Sequence, residues 1–377
     1  MTNTLTGARF IAETFKGYGV THLFYVDAIL RKAMVDIEEL GIKRIVTHSE
    51  KAAAYMADGY ARVSGRPGVC LAQAVGAANL AAGLQDAWLA RSPVIAITGK
   101  KPPLFQYRNA YQEIHHWPLF QPVTKYNADV VIPEQLPHLL RQAFRAATTG
   151  SPAPVHLDLV GREARELEAA AGFPPAQAEE RYGRFPAFRP EPQPADIQAA
   201  LAAIETAQRP IIVAGGGVRI SGAAAEVVAL AEKGQIPVAA SVNGKGTIPE
   251  NHPLSVGVVG SYSAWCANRA VSEADLVIFI GSGTGDQTTN NWTVPRPGTA
   301  IVQIDIDPAE LGRSYPNTIG IAADARVALQ RLTAQLTVRP GNRAWLQRTT
   351  DLATQWQAEV KSRRESTETP IRPERMC

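Results

Sequence analysis

Short apolar runs alternate with helix-patterned stretches twice along this chain, and few folds accept that pattern. In residues 1–165 the predicted strands are Thr21–Tyr25, Arg44–Thr47, Gly68–Leu71, Val94–Thr98 and Val155–Leu159. Helical segments such as Thr6–Tyr18, Ser49–Val63 and Ala77–Leu89 lie between them. Strand and helix in turn mark a parallel sheet covered by helices. The pattern resumes over residues 195–337, with strands at Pro210–Ala214, Pro237–Ala239, Leu276–Ile280, Ala300–Ile304 and Ile319–Ile321. The fold class is therefore α/β, with two doubly wound parallel-sheet domains. Residues 166–194 are rich in Pro, Glu, Arg and Ala and lack apolar periodicity, as a linker does. Residues 338–377 read as a polar helix around Trp345–Lys361 and then a loop without core-forming residues.

Composition narrows the function classes. With 45% hydrophobic and 19% charged residues the chain can bury real cores and is not disordered. A net charge of +3, both signs interspersed, is too weak to argue for nucleic acid or an anionic membrane. Cys70, Cys266 and Cys377 are too scattered for a disulfide framework or a metal quartet. No run is apolar enough to span a bilayer, and the start lacks the order of a signal peptide. These features point to a cytoplasmic protein with a small-molecule partner.

The segment Thr47–Arg62, THSEKAAAYMADGYAR, clusters Ala and Gly on a helix that neighbours can approach closely. Glu50 stands in its first turn, just past a strand end. Two readings compete there. Thr47 and Glu50 have the spacing of a capping box, in which the Glu reaches back to a backbone N–H. Alternatively the carboxyl faces a ligand at the end of the sheet, where open α/β folds bind theirs.

The run His48–Arg62 resembles the first-domain signature of the thiamine-diphosphate enzymes of the acetolactate synthase and 2-keto acid decarboxylase family. The resemblance extends to Gly19–Phe24, Gly68–Leu71, Gly76–Leu80, Pro93–Gly99, Tyr111-Gln112-Glu113 and Val123–Tyr126. In the second half it continues through Ala207–Gly217, Gly244–Gly246 and Ile304–Pro308. It implies a pyrimidine-binding domain and a middle domain. It also implies that Glu50 hydrogen-bonds N1′ of the cofactor's aminopyrimidine and so promotes loss of the thiazolium C2 proton. Val26, Val75, Gly76 and Asn79 would line the same ring, and Gln112 would face substrate or pyrimidine. His115-His116 is similar to the His pair of the pyruvate decarboxylase branch, which would make His116 a proton carrier; two solvated loop histidines are the other reading. Tyr25-Val26-Asp27-Ala28 and Ala72–Gly76 depart from the family's loops and put local geometry in doubt.

In the second domain, Gly215-Gly216-Gly217 with Asp305 and Asp324 forms a candidate nucleotide site, for FAD or ADP if anything. The family's arginine-bearing FAD segment is replaced by GSGTGDQTTNNW, Gly281–Trp292. Gly285-Asp286 and Asn290-Asn291 imitate the family's magnesium-diphosphate motif but stand too close together to be it. No metal ligand is assigned. Thr369–Arg375 resembles the lead-in to the family's third domain. The expectation is a subunit that acts on a 2-keto acid, by decarboxylation or acyl-anion transfer. It would self-associate and share thiamine diphosphate with a second subunit, which holds Mg2+. The alternatives are a non-catalytic nucleotide-binding or regulatory subunit and a truncated relic.

Overall fold

A computed structural model describes residues 4–27, 29–162, 164–338 and 340–376, so Ala28 and Cys377 of the sequence reading lie outside the described residues. The strands, in chain order, are β1 (Leu5–Thr6), β2 (His22–Tyr25), β3 (Lys43–Val46), β4 (Gly68–Gln73), β5 (Val94–Lys100), β6 (Tyr126–Val130), β7 (Val155–Val160), β8 (Ala171–Phe173), β9 (Pro210–Ala214), β10 (Val238–Ala240), β11 (Ser255–Val258), β12 (Leu276–Ile280), β13 (Ala300–Asp305) and β14 (Ile319–Ala322). The chain divides into two units between Phe188 and Arg189, each built on a six-stranded sheet. A small antiparallel pair, β1 with β8, completes the first unit. The two doubly wound α/β sheets expected from the sequence are present.

The first sheet runs β3-β2-β4-β5-β7-β6, with every pair parallel. The chain leaves β2 for β3 on one side and returns to β4 on the other, so the topological switch lies between β2 and β4. Ligands of open α/β sheets bind outside the carboxyl ends of the strands at that switch. Helices α1 (Gly7–Gly17) and α2 (Arg31–Glu39) precede α3 (Glu50–Ser64) and α4 (Gly76–Gly83) in the chain. Val69 and Leu71 of β4 join one core with Leu23, Ile95 and Ile97. Cys70 and Ala72 face the other way, onto Ala53, Ala54 and Ala57 of α3 and Ala77 and Ala81 of α4. Small side chains let these helices close up on each other: a Cβ on Gly83 would lie 2.7 Å from the Ala54 Cβ.

The second sheet runs β11-β10-β9-β12-β13-β14, also parallel, with its switch between β9 and β12. Strands β6 and β11 were not expected from the sequence. Both are edge strands, and their YNADV and SVGV carry no continuous apolar run because one edge needs no burial. Much of the predicted linker is held against the first unit: Tyr182 is buried, and the Arg145 guanidinium lies 4.4 Å from its ring centre.

The predicted polar helix is longer, Arg343–Arg364, and belongs to the second core through Trp345 and Leu352. The Trp345 Nε1–H donates to the Pro210 carbonyl at the start of β9, 2.9 Å away. Trp345→Ala should therefore destabilise the second unit by about 3–5 kcal/mol, since it leaves a cavity and an unpaired carbonyl. Urea unfolding followed by circular dichroism reads this, and an unchanged midpoint would contradict the packing.

Candidate functional site

Glu50 is the first residue of α3, and the helix is capped by its neighbour. The Ser49 hydroxyl accepts from the Ala52 N–H at 3.2 Å. Thr47, the cap in the competing reading, turns its hydroxyl to the Ser49 carbonyl at 2.8 Å. The capping box is therefore not formed, because Ser49 takes the cap two residues later than that reading requires. The Glu50 carboxyl is half-buried and is used elsewhere: Asn79 Nδ2 of α4 donates to its Oε2 at 3.1 Å. Its Oε1 lies against Gly76, where an added Cβ would come within 2.4 Å. A side chain there would displace the carboxyl, so its present place depends on the glycine at the α4 N-terminus.

Val26 follows β2, and Val75 follows β4 by two residues, so both stand at the switch-point ends of their strands. Val75 is half exposed and Val26 half-buried. Glu50 thus follows β3, Val26 follows β2, and Val75, Gly76 and Asn79 follow β4, all at the carboxyl ends of adjacent strands. The enclosure around Glu50 is one-sided, formed by the alanine-rich seam of α3 and α4. The rest of the signature is structural: Asp58 pairs with Arg62 through two hydrogen bonds of 2.8 and 2.6 Å.

Gln112 has a left-handed backbone, φ 61°, and its Oε1 accepts from Gln73 Nε2 at the end of β4, 3.0 Å away. Gln112 also lines a cavity of about 110 Å3 with Lys100, His116 and Asp129. Gln73 was not singled out in the sequence; its polar ending of an apolar strand was the available signal.

His116 is 1% exposed, and both ring nitrogens are engaged: Nδ1 lies 3.0 Å from Asp158 Oδ2 and Nε2 lies 3.0 Å from the Ala74 carbonyl. The ring expected to carry a proton is thus held by protein through both nitrogens. His115 is exposed, as the solvated reading has it. Around His116 lies a buried polar row. The Thr98 hydroxyl is 2.9 Å from Asp158 Oδ1 and 2.7 Å from His156 Nε2. Lys100 Nζ reaches Asp158 at 3.1 Å and Asp129 at 2.7 Å. Burial alone would raise the Asp158 carboxyl, but the hydrogen bond from His116 and the nearby charge of Lys100 hold it down at about 2. Burial pushes the His156 imidazole down to about 3, so it is neutral.

In the second unit the glycine turn is filled by protein. Gly217 N–H donates to the Gly281 carbonyl at 2.8 Å, and a Cβ on Gly215 would meet that same oxygen at 2.2 Å. A Cβ on Gly216 would meet the Asn243 Cβ at 3.2 Å. The glycines let the turns after β9 and β12 close on each other at the switch point. Asp324 is buried; it caps the following helix through Arg326 and Val327 N–H and pairs with Arg189 at 3.0 Å. Asp305 ends β13 and accepts from the Asp307 N–H at 2.9 Å. The residues expected to hold FAD or ADP, Gly215–Gly217, Asp305 and Asp324, are thus each engaged with protein atoms near the carboxyl ends of β9, β13 and β14. Among the described residues no cluster of three or more His, Cys, Asp or Glu side chains has metal-binding geometry. No helix among them is long and apolar enough to cross a membrane.

A carboxylate at a helix start, set against glycine at the switch point of a doubly wound sheet and followed by a second such sheet, defines a cofactor-binding α/β protein. Residues 5–119 match the model of the thiamine pyrophosphate enzyme N-terminal TPP-binding domain, and residues 197–332 match that of the thiamine pyrophosphate enzyme central domain. The chain belongs to the thiamine pyrophosphate enzyme family, with its N-terminal and central domains. It is 38% identical over 355 residues to a probable acetolactate synthase large subunit of Methanocaldococcus jannaschii, covering 92% of this chain and 59% of that protein. It is 36% identical to an acetolactate synthase of Arthrospira platensis, covering 86% and 57%. It is 34% identical to the acetolactate synthase isozyme 1 large subunit of Escherichia coli, covering 92% and 60%. The chain thus spans somewhat over half the length of these relatives.

Acid should loosen the first unit through His156. Its folded-state value lies below the ordinary 6.5, so its contribution is complete above that pH and is lost as pH falls toward about 3. Asp158, held at about 2 rather than 3.8, adds a loss in the same direction at lower pH. His156→Gln should flatten the fall in stability between about pH 6 and about pH 4 by roughly 1.4 kcal/mol per pH unit. Denaturant midpoints across that range test this, and parallel slopes for the two proteins would refute it.

Proposed function

We propose that this chain supplies the aminopyrimidine half of a thiamine-diphosphate site in an acetolactate synthase-like enzyme that decarboxylates a 2-keto acid or passes its acyl group to a second carbonyl. The observation that carries this reading is the Glu50 carboxyl, fixed by Asn79 through one oxygen and set against Gly76 through the other. The residues fit the group: the Glu50 carboxyl would hold the ring nitrogen beside the Gly76 backbone, and Val26 and Val75, which follow β2 and β4, would add apolar surface.

The bound cofactor supplies an electron sink for the carbon that loses carbon dioxide. The chain's own residues do the rest. Glu50 holds a proton at the pyrimidine N1′, Asn79 keeps the carboxyl from swinging away, and Gln112, tied to Gln73, presents its amide at the end of β4. The diphosphate and its Mg2+ are held by polypeptide outside these residues, on a partner subunit. Tyr55, Met56 and Val63, exposed on the helix that Glu50 begins, give that polypeptide an apolar surface to rest on. Self-association belongs to this reading as well.

Glu50→Gln preserves the shape and the Asn79 contact and removes the carboxylate. With the subunit that completes the site and with thiamine diphosphate and Mg2+ present, it should lower 2-keto acid turnover on the order of 100-fold or more, at unchanged melting temperature. Turnover equal to that of the unaltered chain would defeat the proposal.

A further inference from the structure

We infer that His116 is a positioning residue: by holding the Ala74 carbonyl it sets where the Val75–Gly76 turn stands against Glu50. The inference rests on the proposed role of Glu50 and assigns His116 no contact with the reacting atoms.

The geometry begins inside the sheet. Ala72 of β4, Thr98 of β5 and Asp158 of β7 are register partners across three adjacent strands, and Asp129 of β6 continues the row. Asp158 has no exposed side-chain surface, and it is fixed by Lys100 and Thr98. His116, at the start of the short helix His116–Phe120, lies over this row with Nδ1 on Asp158. Its Nε2 points at the Ala74 carbonyl, two residues past Ala72. A carbonyl only accepts, so Nε2 carries a hydrogen and donates. The same carbonyl takes the Ala77 N–H at 3.0 Å, the first amide bond of the turn into α4. The imidazole therefore spans from the rigid middle of the sheet to the one carbonyl from which α4 starts. Two residues further on, Gly76 backs the Glu50 carboxyl. A shift of that turn moves Gly76 and Asn79 together, and with them both contacts of Glu50.

The two ring nitrogens can be separated by substitution, because an Asn amide nitrogen falls near Nδ1 and a Gln amide nitrogen near Nε2. His116→Asn keeps a donor for Asp158 and loses the one for Ala74; His116→Gln does the reverse. Both variants should melt below the unaltered protein. Amide hydrogen exchange is measured on the full chain without cofactor, and calorimetric binding of thiamine diphosphate with Mg2+ is measured on the complex with the completing subunit. His116→Asn should raise exchange at Val75–Asn79 roughly tenfold, the factor that one hydrogen bond carries, and weaken binding by a similar factor. His116→Gln should stay within about twofold on both measures. Asp158→Asn, which loosens the ring from below, should also raise exchange at Val75–Asn79.

Equal exchange at Val75–Asn79 in the Asn and Gln variants, or changes confined to β5 and β7, would overturn the inference. A split in exchange with no thiamine-diphosphate binding even by the unaltered complex would uphold the role of His116 and sink that of Glu50.

Discussion

The contact between α3 and α4 is made almost entirely of alanine and glycine, and the position of Glu50 depends on it. Ala53, Ala54 and Ala57 share one buried cluster with Ala77 and Ala81. Gly68 brings β4 equally close, since a Cβ there would lie 2.1 Å from the Ala57 carbonyl. Any added methyl in this seam must push a helix outward, because interiors are close-packed and yield little. The starts of both helices are thereby brought side by side, Glu50 on one and Gly76 and Asn79 on the other. A carboxyl in a surface turn would be mobile; here its two oxygens are bounded by groups whose places are set by helix packing.

Below that edge lies a second constraint of opposite character. Lys100, Thr98, His116, His156, Asp129 and Asp158 form a polar row inside an otherwise apolar sheet. Such a row is costly when any member lacks its partner, and it fixes geometry when each is satisfied. His156 also stacks on Phe120, ring centres 3.6 Å apart, which ties the short helix bearing His116 to β7. The alanine seam sets how near the helices come. The polar row sets how far along the sheet their turn stands.

Strands with continuous apolar runs were legible from the sequence, because burial on both faces writes itself into consecutive residues. The edge strands β6 and β11 were not, since one side of each is free of that demand. Glu50 could be picked out, but its cap could not: Thr47 and Ser49 are both competent, and only backbone geometry decides between them. The partners of His116 were hidden for a related reason. The residues that claim it, Asp158 and Ala74, are remote in sequence, and one offers only a carbonyl, which every residue has. Two charged or polar side chains in the strand VHLDLV were a visible anomaly that the strand assignment passed over. The backbone contact made by the glycine run 215–217 was not legible, because a glycine required for such contact and one required for a phosphate look alike as letters.

That glycine contact has a consequence for redesign. At the second switch point main chain meets main chain, with the Gly217 N–H donating to the Gly281 carbonyl and Gly215 lying against the same oxygen. A Cβ at Gly215 or Gly217 would strike that backbone. An engineer reshaping this domain would therefore keep both glycines and vary the residues that flank them.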